Sequence, residues 1–261
     1  MGLLENKVII VTGATAGIGK AAAQYFAREG AKVIVAGRRE KLGTEAVQEI
    51  CAQGGEAIWV RTDVCIESDI QALVQTAVDR YGRLDGSFNN AAVAIAKPLI
   101  ELSNEDWDTV LNTNLKALFW CLKYEVLAML QCGGGSIVNC ASIGAERAGP
   151  ALTAYSASKG GIVAMSRTVA TEYAEKNIRV NTINPGTIET EMATAFWGFE
   201  QVPAMRKVAA QMAAMNRIGQ PIEAAQLAGF LLSDLSSYIT AQQINVDGGA
   251  NALTRINLPN S

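Results

Sequence analysis

A chain of 261 residues that is 49% apolar and 18% charged can bury a sizeable core and is too apolar to be a disordered segment. The formal net charge is −3 and no basic block occurs, which argues against nucleic acid or an anionic membrane surface as a partner. Histidine is absent, which excludes Ser-His-Asp and Cys-His catalysis and removes the commonest transition-metal ligand, so no metal site is expected. An acid or base working near neutral pH must then be a Tyr, Lys, Glu, Asp or Cys. Cys51, Cys65, Cys121, Cys132 and Cys140 form no CxxC pair and read as reduced, small packing residues. The first apolar run, residues 8–11, is too short for a signal core or a membrane span, so the expectation is a cytoplasmic protein with no membrane partner.

In chain order, residues 7–12 read as a buried strand because their apolar members are all β-branched, and 18–29 as a helix closed by Gly30. Residues 32–36 read as a second strand, 41–53 as a helix ended by Gly54-Gly55, 57–61 as a third strand, 67–81 as a helix and 84–89 as a fourth strand. One long helix is expected over 104–130, a fifth strand over 135–140, a helix over 154–175 and a sixth strand over 178–184. A helix over 221–233 and a short strand over 243–246 complete the alternation. Strands alternating with helices imply an α/β fold, doubly wound in the Rossmann manner, with a seven-stranded parallel sheet covered on both faces. Residues 1–250 form one expected domain. Residues 187–217 depart from the alternation and read as a lid, and 251–261 as a polar tail.

The first strand runs into Gly13-Ala14-Thr15-Ala16-Gly17-Ile18-Gly19 and then a helix. Glycines permit a tight turn and close backbone approach, while the helix start presents unpaired N–H groups to an anion. The spacing is GxxxGxG rather than GxGxxG, and its place after the first buried strand points to a dinucleotide pyrophosphate. A carboxylate at the end of the second strand would hold ribose hydroxyls. Here Gly37-Arg38-Arg39 stands instead, and guanidinium groups suit a 2′-phosphate. NADP(H) is therefore the favoured cofactor, with NAD(H) as the alternative if both arginines are solvated turn residues.

Tyr155 and Lys159 stand at i and i+4, on one face of a helix. A phenol ordinarily titrates near 10, and a neighbouring ammonium favours its ionised form, which makes an acid/base without histidine. Ser142 closes the fifth strand, at the end of the sheet where ligands of doubly wound folds sit, and its hydroxyl can donate to a carbonyl oxygen gaining charge.

With these motifs in order the chain resembles the classical short-chain dehydrogenase/reductase family over about residues 5–250. Thr12 to Gly19 resembles the family's cofactor turn, Asp63-Val64 its adenine-contacting pair, and Asn89-Asn90-Ala91-Ala92 its Asn-Asn-Ala-Gly segment. Asn114, Ser142, Tyr155 and Lys159 match its catalytic tetrad, and Pro185-Gly186-Thr187-Ile188-Glu189-Thr190 its nicotinamide-side turn. The resemblance implies that Tyr155 protonates a carbonyl as hydride arrives, that Lys159 supports Tyr155 and binds ribose, and that Ser142 polarises the carbonyl. It also implies that Asn114 kinks its helix and holds a water, and that Ile188 and Thr190 contact the carboxamide. Asn90 has a competing reading as a sheet brace and Asp63 as a turn cap. Ala92 departs from the family's glycine and would be strained if that position required positive φ.

Met192, Phe196, Trp197, Phe199, Val202 and Met205 make the lid apolar. That suits a hydrophobic or cyclic ketone, or equally the lid's own packing or a subunit interface. Glu146 and Arg147 are expected near the entrance. The resemblance implies a homo-oligomer, commonly a tetramer, paired through the helices at 104–130 and 154–175. The leading reading is an NADP(H)-dependent carbonyl reductase or alcohol dehydrogenase acting on a small molecule. The alternatives are an NAD-dependent alcohol or diol dehydrogenase, a non-catalytic dinucleotide-binding redox sensor, and an epimerase or dehydratase.

Overall fold

β1 (Val8–Thr12) is β-branched at every position and buried at every position, as a strand covered on both faces must be. The computed structural model describes residues 2–253. After β1 come α1 (Gly17–Arg28), β2 (Lys32–Gly37), α2 (Glu40–Ala52), β3 (Glu56–Arg61), α3 (Glu67–Tyr81) and β4 (Gly86–Asn89). Then follow α4 (Asn104–Leu111), α5 (Ala117–Gln131), β5 (Gly135–Cys140), α6 (Thr153–Tyr173) and β6 (Ile178–Pro185). α7 (Glu191–Trp197), α8 (Met205–Gln211), α9 (Pro221–Leu232) and β7 (Gln243–Val246) complete the order.

The seven strands form one sheet in the order β3-β2-β1-β4-β5-β6-β7, with every pairing parallel. The alternation of side chains divides the core in two. Ile9, Val11, Val33 and Val35 join α1, α2 and α9 on one face, while Val8, Ile10, Ile34 and Ala36 join α3, α5 and α6 on the other. α1 and α9 approach closely because Gly229 lacks a Cβ, which would lie 2.8 Å from the ring of Tyr25. The chain winds outward from β1 to β3 and returns to β4 on the other side of β1. A crevice therefore opens beyond the carboxyl ends of β1 and β4.

The helix expected over 104–130 is two helices joined by a π turn at Asn112–Lys116. The amide of Ala117 donates to the carbonyl of Asn112, five residues back. Local pattern alone reads straight through such a turn, because the apolar periodicity continues on both sides. The segment 187–217 holds α7 and α8 and is closed at its base by a parallel bridge between Ile188 and Gly219. There Glu189 N donates to Gly219 O at 2.9 Å and Gly219 N to Thr187 O at 3.0 Å. Phe199 is buried, and the Trp197 ring stacks over it at 6.5 Å between centroids, so part of this segment's apolar surface packs on itself. Met192 and Phe196 stay partly exposed.

Of the tail, Asn251 is tied by its N–H to Asp247 Oδ2 at 2.7 Å, and residues 254–261 lie outside the described residues. Among the described residues no helix is long and apolar enough to cross a membrane.

Candidate active site

A cavity of about 880 Å³ lies at the carboxyl ends of the strands. Gly13, Thr15, Ala16, Gly17 and Ile18 form one wall of it. Gly13 and Gly17 have φ of +65° and +53°, which L side chains rarely adopt. Gly19 does not line the cavity. A Cβ there would lie 2.3 Å from Gly13 O, so its role is to let α1 pack under the turn. The Ala16 N-cap has no side-chain cap and the first turn of α1 has no acid, so its free N–H groups face no competing carboxylate.

Asn90 donates Nδ2 to Thr12 O at 3.2 Å and to Gly13 O at 3.4 Å. Thr12 Oγ1 in turn accepts from Asn90 N at 3.0 Å and Ala91 N at 3.2 Å. Asn90 therefore braces β4 against β1 while it and Ala91 line the cavity. Ala92 also lines it and is not among the non-glycine residues with positive φ, so the strain considered for this alanine does not arise.

At the far end, Gly37, Arg38, Arg39, Asp63 and Val64 close the cavity. Arg39 donates Nε and Nη2 to Thr15 Oγ1 at 3.1 and 2.9 Å and Nη1 to Glu191 Oε2 at 2.9 Å. Arg38 is 64% exposed in its side chain and stands 3.7 Å from Asp63 Oδ2. Asp63 Oδ1 accepts from Cys65 N at 3.0 Å, so this carboxylate caps its turn as well as lining the cavity.

Tyr155, Lys159 and Ser142 meet in the middle of the cavity. A Cβ on Gly144 would lie 3.4 Å from both Ser142 Oγ and Tyr155 Cε1, so both side chains border one small space. Ser142 Oγ accepts from Gly144 N at 3.0 Å, which leaves its own proton to donate. Lys159 is buried, its Nζ donates to Cys140 O at 2.8 Å, and it sits 5.6 Å from the Tyr155 ring centroid. Burial pushes the Cys140 thiol up, with the charge of Lys159 pulling the other way.

Asn114 is buried behind the wall rather than in it. Its Oδ1 accepts from Val93 N at 2.8 Å, and its Nδ2 donates to Val93 O at 2.9 Å and to Ser158 Oγ at 3.0 Å. Ser158 then donates to Tyr155 O at 2.7 Å. The amide thus couples the loop after β4 to the first turn of α6.

Pro185, Gly186, Ile188 and Thr190 form the remaining wall. Gly186 is required because a Cβ there would lie 2.9 Å from Asp247 Cα. Thr190 Oγ1 caps α7 by accepting from Ala193 N at 3.1 Å, and its methyl faces the glycine turn at Gly17.

Ser158 and Glu191 were missed as site residues by sequence reasoning, while Thr12, read there as the start of the cofactor turn, also holds the backbone of Asn90 and Ala91. Glu191 contacts Arg39 from 152 residues away, which no local pattern signals. Ser158 is one helical turn beyond Tyr155, and that spacing is its only local signal.

A parallel sheet with a glycine-rich turn at its switch point and a Ser-Tyr-Lys centre beside it defines a nicotinamide-dependent oxidoreductase. A family model described as enoyl-(acyl carrier protein) reductase matches residues 13–251. The cyclohexanol dehydrogenase of Acinetobacter sp. (strain SE19) is 38% identical over 245 residues, 94% of each chain. A 3-oxoacyl-[acyl-carrier-protein] reductase of Thermotoga maritima is 40% identical over 247 residues, covering 94% of this chain and 98% of the other. Among solved structures, a variant of actinorhodin polyketide ketoreductase with NADPH superposes with a TM-score of 0.91 at 33% identity, covering 97% of this chain and all of that one. The chain belongs to the short-chain dehydrogenase/reductase family, whose members bind a nicotinamide dinucleotide and act on alcohol and ketone groups.

Proposed function

We propose that this chain is an NADP(H)-dependent reductase of ketones, or dehydrogenase of the matching secondary alcohols, with Tyr155 as its acid/base. The observation that carries this reading is the buried Lys159 ammonium, 5.6 Å from the Tyr155 ring in a cavity that Ser142 also lines.

The residues present fit a dinucleotide. Gly13, Thr15, Ala16, Gly17 and Ile18 with the start of α1 would hold the pyrophosphate, and Asp63, Val64, Asn90 and Ala91 the adenosine side. Pro185, Gly186, Ile188 and Thr190 would hold the nicotinamide side. Arg38 and Arg39 would take a 2′-phosphate, although Arg39 already shares its charge with Glu191. The bound nicotinamide supplies or accepts the hydride. Ser142 donates to the substrate oxygen as negative charge grows there. Tyr155 gives its proton to that oxygen in reduction and takes one back in oxidation. Lys159 stabilises the negative charge left on the Tyr155 oxygen, and the burial of Lys159 limits the screening of that interaction. Asn114 holds the loop and helix that carry these groups.

The segment 187–217 serves as a lid. Its Met192, Phe196 and Trp197 side chains line the cavity and suit a hydrophobic or cyclic ketone. The similarity to a cyclohexanol dehydrogenase supports a cyclic substrate, and the ketoreductase with NADPH supports the phosphorylated cofactor. We place the protein in the cytoplasm as a homotetramer. Trp107, Phe119, Leu127 and Leu130, exposed along α4 and α5, support assembly through those helices.

The test is the loss of reduced-nicotinamide absorbance with NADPH and with NADH against aliphatic, cyclic and aryl ketones. Turnover of cyclic ketones with an NADPH preference is expected. Tight cofactor binding without turnover in either direction would contradict an enzymatic role.

A further inference from the structure

The charged side chains lining the cavity, together with Tyr155, sort by place. Arg38, Arg39, Asp63 and Glu191 surround the end assigned to the adenosine, and Tyr155 and Lys159 form the centre. The cavity is also lined by Ile143, Leu152, Met192, Phe196, Trp197 and Met212, and the one further charged residue in its described lining is Arg147.

Arg147 is held in place from both ends. Its backbone N–H donates to Ile143 O at 2.8 Å, which fixes it to the short 3₁₀ turn that carries Ser142. Its Nη1 donates to the carbonyl of Ala250, a buried residue of the C-terminal turn. None of the ion pairs among the described residues includes it. The adjacent Glu146 is exposed and accepts from the amides of Asn245 and Asn251 instead. A guanidinium carries five donors in a fixed fork, and here one is committed. Arg147 is a half-buried cation with donors to spare and no carboxylate within ion-pair distance among the described residues, which suits it to an anionic group entering the cavity.

We propose that Arg147 recognises a carboxylate on the substrate, so that the enzyme acts on an apolar, cyclic oxo acid or the corresponding hydroxy acid. This rests on the reading of the cavity as a ketone or alcohol site. A carboxylate matches the fork in geometry and its single charge in amount. A dianionic phosphate would leave one charge uncompensated among Met192, Phe196 and Trp197.

The test reads binding separately from turnover. Trp197 lines the cavity, and its emission reports occupancy, with Trp197→Phe identifying its share of the signal. Cyclohexanecarboxylate and its uncharged methyl ester are titrated into the cofactor-loaded wild type, Arg147→Gln and Arg147→Lys. The wild type is expected to bind the acid at least about tenfold more tightly than the ester, Arg147→Gln to lose that preference, and Arg147→Lys to keep part of it. Cofactor affinity is expected to be equal in all three, which excludes misfolding as the cause. Equal or tighter binding of the ester, or an acid preference that survives in Arg147→Gln, would overturn the proposal. Tyr155→Phe is expected to retain the acid preference. If wild type shows that preference yet turns over no ketone or alcohol, the binding role of Arg147 stands and the catalytic reading fails.

Discussion

Lys159 Nζ donates to the carbonyl oxygen of Cys140 at 2.8 Å, and this contact fastens the face of α6 that carries Lys159 to the end of β5. The ammonium is 2% exposed and enters none of the ion pairs among the described residues, so it is kept at the expense of stability. Lys159→Met removes a hydrogen bond of about 1–3 kcal/mol and also removes the cost of holding an unpaired ammonium away from water, and the two oppose each other. Turnover is expected to fall by at least about 100-fold while the thermal midpoint stays level or rises. A large fall in the midpoint would show that the lysine is structural.

Asn114 presents one amide to both backbone groups of Val93 and to Ser158. Asn114→Ala strands the two part-buried backbone groups of Val93 and the hydroxyl of Ser158. A loss of about 1–3 kcal/mol in denaturant unfolding is expected, with a drop in kcat larger than any change in cofactor affinity. Unchanged kcat would separate this clamp from catalysis.

The sheet and its helices were legible because most strands are short β-branched runs, bounded by turn residues and followed by an amphipathic stretch, although β4 (Gly-Ser-Phe-Asn) has no β-branched residue. The Tyr155, Lys159 and Ser142 centre was legible because helix spacing and strand ends fix direction. The π turn at Asn112–Lys116 was not legible in the apolar pattern, which stays intact on either side, and only the family resemblance, through Asn114, pointed to a kink there. The Arg39–Glu191 pair was hidden for a different reason. It joins the turn after β2 to α7, and only the folded lid brings the carboxylate there.

That pair sets a prediction for the cofactor. Glu191 takes charge from Arg39 that a 2′-phosphate would otherwise use. Glu191→Gln is expected to tighten NADPH by about three- to tenfold and to leave NADH almost unchanged, as read by nucleotide fluorescence on binding. Equal effects on the two nucleotides would remove Arg39 from phosphate recognition.

Glu125 is buried against β4 and accepts from Asn89 Nδ2 at 2.9 Å, and burial raises its carboxyl to about 7. A raised acid holds its proton in the folded state after the unfolded chain has lost it. Stability from this group is therefore full below about 4.5 and declines as pH rises towards about 7. Glu125→Gln is expected to flatten that decline and to gain on the order of 1–3 kcal/mol over wild type at pH 8. Parallel stability curves for the two proteins would contradict this.

Gly19 offers a test of the turn. A Cβ there would lie 2.3 Å from Gly13 O, so Gly19→Ala must open the turn or lift α1. Dinucleotide affinity is expected to fall by at least about tenfold, with a stability loss of about 1–3 kcal/mol. Unaltered affinity would mean that the turn does not shape the dinucleotide site.

The central claim is that the Tyr155 hydroxyl moves the proton that accompanies hydride transfer. The most direct measurement is single-turnover oxidation of NADPH by Tyr155→Phe with a ketone that the wild type reduces, paired with NADPH affinity by fluorescence. Loss of the phenol oxygen with the ring retained is expected to slow the step by about 100- to 10,000-fold while affinity changes little. A variant that oxidises NADPH at the wild-type rate would contradict the claim, and the acid would have to be sought elsewhere in the cavity.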